Sequence, residues 1–242
     1  MASPEITRPP GTYPGDRSYI GFFIAAALMG ILAITGALPG TFTLVMFGIA
    51  TLSLASIGYV GLTNARTKRF ELWNRLATEL APADHSRILD VASRDLLGGA
   101  TLVQTNPQVF IAVVPDPRDA ELVESNLAAV RAVQPATDPD DGPDEVEANT
   151  LGELPLEDAS FNYIVSDSSQ ALLKRAKLDA ALAEIIRLAA PGAQIAIVIA
   201  ARTKRIRAGL EAAGATDISI ENVLGTAWTG YRLVRARFPE TS

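Results

Sequence analysis

The chain has 242 residues, a formal charge of −6 and no cysteine, which leaves room for one ordinary domain plus an extension and rules out disulfides and thiolate chemistry. Phosphate neutralisation needs clustered Lys and Arg, so the acidic balance argues against a general nucleic-acid partner. Apolar residues make up 48% of the sequence, but the first quarter is almost free of charge while the remainder has the mixed charge of a soluble domain. Arg outnumbers Lys and Ala is abundant, a composition that points weakly to a bacterial source.

Residues 1–17, rich in Pro and Gly, read as an irregular tail. Over 18–63, the stretches Tyr19 to Leu38 and Thr41 to Leu62 contain no charged residue. At ~1.5 Å per residue, each matches a hydrocarbon core of ~30 Å, so the sequence predicts two transmembrane helices over 19–38 and 41–62. Only Pro39-Gly40 separates them, which predicts antiparallel helices in contact. Ala26, Gly30 and Ala33 on the first and Thr51, Ala55 and Gly58 on the second are small residues at helical spacing that permit close approach. The alternatives are a cleaved signal peptide or a buried core hairpin; a signal h-region is shorter and would not be followed by a second full-length span. Arg8 and Arg17 precede the hairpin, Arg66, Lys68 and Arg69 follow it, and the turn has no basic residue. By the positive-inside rule both termini face the cytoplasm, with the bacterial inner membrane as the expected location.

Phe70, Trp73, Leu76 and Leu80 recur at helical spacing and predict an amphipathic connecting helix within 66–82. Two placements of Trp73 stand, one at the lipid headgroups and one packed on the following domain. From 83 to 242, β-branched runs alternate with helical patterns, the signature of βαβ units. Strands are expected at 87–91, 109–114, 146–149, 162–166, 194–199, 217–222 and 231–237, and helices most clearly at 117–133, 178–188 and 204–213. The run 134–145 is acidic and rich in Pro. It reads as a solvated loop or as a docking site for a basic partner, and its Asp spacing is not that of an EF-hand.

Four segments in order, ILDVA (88–92), LPLEDASFNYIVS (154–166), LAEIIRLAAPGAQIAIVIA (182–200) and LEAAGATDISIE (210–221), resemble the class I S-adenosylmethionine-dependent methyltransferases, and most closely those acting on small molecules, lipids and quinones. The resemblance covers about residues 70–240. It implies an α/β, Rossmann-like fold with a seven-stranded, mostly parallel sheet whose last strand inserts antiparallel.

It also implies cofactor contacts, and these are where the sequence departs. The first loop of the family reads acid-x-Gly-x-Gly-x-Gly; here the acid is Asp90, Ser93 lies within the loop, and the three glycine places hold Ala92, Arg94 and Leu96. Gly98 and Gly99 come too late to replace them without a register shift. The acid that would hold the ribose hydroxyls falls on Val114, with Asp116 a substitute only if Pro115 bends the chain back. The adenine-binding acid falls on Thr150. Were the cofactor bound after all, Asp90, Ala92, Ser93, Asp116 and Thr150 would be its contacts; as written, no cofactor, no catalytic residue and no metal site is expected.

The one histidine, His85, lacks co-ligands or a Gly-x-Ser-x-Gly loop nearby and reads as a surface residue. Arg202, Lys204, Arg205 and Arg207 read as a solvated helix start, with anionic headgroups or a partner as the other possibility. Two functions from different classes follow. One is a catalytically inactive accessory or docking subunit of a larger membrane complex, whose partners are the lipid bilayer and other membrane subunits. The other is an active methyltransferase, using S-adenosylmethionine on a membrane lipid or quinone. A domain that binds some other ligand in the vacated cleft is a third.

Overall fold

In the computed structural model the described residues are 18–35, 41–63, 68–91, 93, 96–106, 108–114, 127, 128, 130, 131, 144, 145, 154–167, 172, 175–224 and 231–240. They fall into two units, one built on Gly11–Arg69 and one on Phe70–Val223 with Gly230–Ser242.

The first unit is a pair of apolar helices, α1 (Ser18–Ile34) and α2 (Thr41–Thr63). They meet through the expected small residues: a Cβ built on Gly30 stands 3.9 Å from Thr51 Cγ2, and one on Gly58 stands 3.2 Å from the Phe23 ring. Early residues of one helix meet late residues of the other, so the pair is antiparallel. Ala26 is buried, while Ile24, Leu28, Ile31, Ile49 and Leu52 are exposed. The hydroxyls of Thr51, Ser53 and Ser56 each donate to a carbonyl one turn back, those of Phe47, Ile49 and Leu52, at 2.8 Å.

Among the described residues no helix is long and apolar enough to cross a membrane; the side chains of α2 are described only over 45–59. The expected first span of 19–38 is corrected to a 17-residue helix ending at Ile34, about 25 Å long at ~1.5 Å per residue. Thr35 is a turn, its hydroxyl folded back on Leu32 O at 3.4 Å. Thr and Gly have low helix propensity, and Thr35-Gly36 leads directly into the Pro39 region.

The second unit opens with α3 (Arg69–Leu80), which lies within the expected 66–82 and ends before Pro82, a residue that cannot continue a helix; residues 66 and 67 lie outside the described ones. Its sheet contains β1 (Arg87–Val91), β2 (Phe110–Val114), β3 (Asp144–Glu145), β4 (Phe161–Asp167), β5 (Ala189–Ile199), β6 (Thr216–Leu224) and β7 (Tyr231–Arg237), in the order β3-β2-β1-β4-β5-β7-β6. Thus six strands have five or more residues and β3 is a two-residue edge. β1 is parallel to β2 and β4, β2 to β3 and β4 to β5, whereas β7 runs antiparallel to β5. Apolar runs such as FIAVV and QIAIVI are buried almost end to end, as suits strands covered on both faces.

Helices α4 (Leu97–Thr105), α5 (Arg175–Leu188) and α6 (Thr203–Ala212) accompany the strands. α6 stops where Gly214 takes φ 82, a left-handed turn that glycine adopts without strain. Of the expected helix 117–133, residues 127, 128, 130 and 131 are helical and the rest lie outside the described residues. The expected strand 146–149 also lies outside them. The last two residues of the acidic run, Asp144 and Glu145, pair with Ala112 and Val113 as β3, a correction to its reading as loop throughout; an edge strand tolerates charge because one side is free of the ladder.

The LPLED segment is fixed onto α5 by a clamp. Glu184 Oε1 accepts from Leu154 N at 2.8 Å, and Arg187 donates to Leu154 O at 3.1 Å and Leu156 O at 2.9 Å while pairing with Glu184 and Asp158. The Arg187 hydrogen bond holds the buried Glu184 carboxyl below its usual range, against the opposing effect of burial. This stability is present above the ordinary Glu value of ~4.3 and fades as pH falls through the depressed one. Replacing Arg187 with Met strands the Glu184 charge and is expected to cost about 2–4 kcal/mol at neutral pH. Urea unfolding measures it; a loss under ~0.5 kcal/mol would show the clamp to be dispensable.

Candidate functional site

In an open α/β sheet, ligands lodge outside the carboxyl ends of the strands where the strand order reverses. Here the chain runs outward from β1 to β2 and β3, then returns on the other side with β4 and β5, so the reversal lies between β1 and β4. The residues at that edge are Asp90, Ser93 and Leu96 after and within β1, the first turn of α4, Ser166 and Asp167 ending β4, and Trp73 from α3.

They form one buried network. Ser166 Oγ donates to Val91 O at 2.8 Å, and Asp167 N donates to Ser93 Oγ at 2.8 Å. Gly99 N donates to Asp90 Oδ2 at 2.8 Å, and Trp73 Nε1 donates to Asp167 Oδ2 at 2.7 Å. Asp90 Oδ1 has no hydrogen-bond partner among the described residues. Burial pushes the Asp90 carboxyl up to about 7, with the Ser93 and Gly99 hydrogen bonds pulling down and the neighbouring Asp167 charge pushing further up. At neutral pH the residue is poised between its two forms.

Asp90 and Ser93 therefore sit together in this network, whereas Ala92, Arg94, Asp116 and Thr150 lie outside the described residues. Leu96, at the third glycine place, is 1% exposed and takes φ 57. A left-handed conformation costs a non-glycine residue roughly 1–2 kcal/mol, so the backbone keeps a turn suited to glycine while a bulky side chain fills the space beneath it. Val114 is buried at the end of β2.

Gly98 and Gly99, read from the sequence as glycines too late for the loop, form the first turn of α4 and have a packing role of their own. A Cβ at Gly98 would stand 2.9–3.1 Å from three carbons of the Trp73 indole, and one at Gly99 would meet Ile111 Cδ1 at 2.5 Å and Asp90 Oδ2 at 2.8 Å. Bare backbone is what lets α4 press onto all three side chains. Trp73 itself is fully buried, which settles its placement on the domain. Sequence reasoning missed Asp167, although an acid directly after the IVS of a strand was a visible signal.

At this edge the Gly99 amide in the first turn of α4 is taken by Asp90 Oδ2, Leu96 is buried in its left-handed turn, and β2 ends in Val114, the position where the resemblance implies a ribose-binding acid. Outside this edge, His85 is exposed before β1, at the opposite end of that strand, its ring 6.1 Å from Phe110. Among the described residues no group of three or more His, Asp or Glu is placed to hold a metal. In the basic cluster, Arg205 pairs with Asp179 and Arg207 with Glu211.

The raised Asp90 value carries a pH signature. Below the ordinary value of 3.8 both folded and unfolded chains are protonated. Between there and about 7 the unfolded chain ionises while the buried group keeps its proton, so stability falls with rising pH, by on the order of a few kcal/mol. Asp90→Asn is expected to remove that decline. Chemical unfolding of both proteins across this window checks it, and parallel profiles would contradict it.

No family model and no curated protein matches the sequence. Solved structures match the fold. The [4+2]-cyclase SpnF superposes with TM-score 0.55 and 16% identity, covering 74% of this chain and 83% of its own. The CurJ carbon methyltransferase gives 0.58 and 11%, covering 94% and 68%. The N-methyltransferase NodS from Bradyrhizobium japonicum, in complex with S-adenosyl-L-homocysteine, gives 0.53 and 15%, covering 76% and 99%. Similarity at this level carries architecture and not activity: the α/β unit has the class I methyltransferase fold.

Proposed function

We propose that the chain is a membrane-anchored, methyltransferase-like protein without catalytic activity, serving as an accessory or docking subunit of a larger membrane assembly. The observation that carries the non-catalytic half is Leu96, buried in a left-handed turn where the fold would present glycine, beside an amide already taken by Asp90. Methyl transfer depends on holding the donor in line with its acceptor. Each unmet hydrogen bond at a buried ligand group costs about 1–3 kcal/mol, so an obstructed loop and a missing ribose acid weaken binding by orders of magnitude.

The anchoring half rests on α1 and α2. No charged residue occurs from Ser18 through Ala65, and large apolar side chains face outward, Leu52 being 70% exposed. Such a surface is costly in water and at home in lipid. The serine and threonine hydroxyls folded onto their own carbonyls leave few polar groups needing a partner, as a hydrocarbon medium demands. Basic residues at both flanks favour an inner-membrane hairpin with the α/β domain on the cytoplasmic side.

The competing reading, an active S-adenosylmethionine-dependent enzyme acting on a membrane lipid or quinone, draws support from the S-adenosyl-L-homocysteine complex of NodS. Isothermal titration of the full chain with S-adenosylmethionine separates the two: the expected dissociation constant is weaker than ~1 mM, and a value near ~1 μM would overturn the non-catalytic reading. Purification from native membranes in mild detergent tests the accessory role. Stoichiometric partners are expected, and a chain that is released by alkaline washing or runs alone would contradict it.

A further inference from the structure

We propose that the switch-point crevice is a ligand site already filled by the chain itself, with the Trp73 indole of α3 as its resident occupant. This rests on the non-catalytic reading and adds what fills the space.

Three features of Trp73 match those of a bound heteroaromatic. It lies between the carboxyl end of β4 and the first turn of α4, the place where the sheet's topology puts a ligand. Its one polar atom is satisfied as a ligand's would be, by donation from Nε1 to the strand-end carboxylate of Asp167 at 2.7 Å. Its six-membered ring rests on bare backbone at Gly98, where a Cβ would stand 2.9–3.1 Å from three ring carbons.

Surrounding contacts keep it there. Leu96 is buried alongside the same turn of α4. At the far end of α3, Glu79 accepts from Arg235 of β7 at 2.6 Å, and Tyr163 of β4 donates to Leu80 O at 3.5 Å. The helix is therefore tied to the sheet below the indole as well as through it. The chemical class that fits the vacated space is a planar heteroaromatic bearing one N–H donor.

The test uses full-length protein with Trp73→Gly and the probe 5-fluoroindole, observed by fluorine magnetic resonance. The expected result is a saturable bound resonance in the variant, none in wild type, and a rise in the variant's Tm of about 3–5 °C. A folded variant that gives no bound resonance would overturn the proposal and leave Trp73 as ordinary core. Should Trp73→Gly fail to fold, Gly98→Ala decides the matter in a Trp228→Phe background, where Trp73 is the sole tryptophan. A displaced indole, seen as red-shifted emission and stronger acrylamide quenching, supports occupancy of the close-fitting seat, and unchanged emission overturns it. The two readings fail separately: S-adenosylmethionine binding by wild type would sink the non-catalytic assignment, whereas the fluoroindole result concerns the crevice alone.

Discussion

The hydrogen bond from Trp73 Nε1 to Asp167 Oδ2 is the contact on which the rest of the α/β domain's carboxyl edge depends. Two carboxyls, Asp90 and Asp167, are fully buried there, and two buried like charges cannot both remain ionised without donors to offset them. Asp167 receives the indole N–H, and its own amide is fixed by Ser93; Asp90 receives the Gly99 amide and retains its proton up to about 7. Removing one donor would disturb α3, α4, β1 and β4 together, because each contributes a member of the network.

The two glycines of α4 follow from the same constraint. Close approach of the helix to Trp73 on one side and Asp90 on the other leaves no room for a Cβ at Gly98 or Gly99. Glycine commonly serves such an edge by letting backbone approach a ligand; here it lets backbone approach the chain's own side chains. The fold alone does not decide what this edge does, since one scaffold carries unrelated functions.

Strand positions were readable because strands buried on both faces are written as short apolar runs: 87–91 and 231–237 coincide with β1 and β7. Boundaries that depend on pairing were not. β5 begins at Ala189, five residues before its strongly apolar run, because Phe161 pairs with Ala189 before a register shift. The hairpin contact was legible in its small residues, yet the end of α1 at Ile34 was not, since the stop signal at Thr35-Gly36 sits inside a run without charge whose length matches a full span. At the site, the departures at Leu96 and Val114 were visible residue by residue. The occupant of the space was not: Trp73 and Asp167 are 94 residues apart, and helical periodicity says which face of α3 is apolar without saying what that face meets.

Hydrogen exchange at the Trp73 indole N–H, followed by nuclear magnetic resonance in the full-length protein with and without S-adenosylmethionine, addresses the internal network most directly. The expected result is exchange only through global unfolding, at a rate the nucleoside leaves unchanged. Exchange by local opening within minutes, or a rate that shifts when S-adenosylmethionine is added, would contradict it.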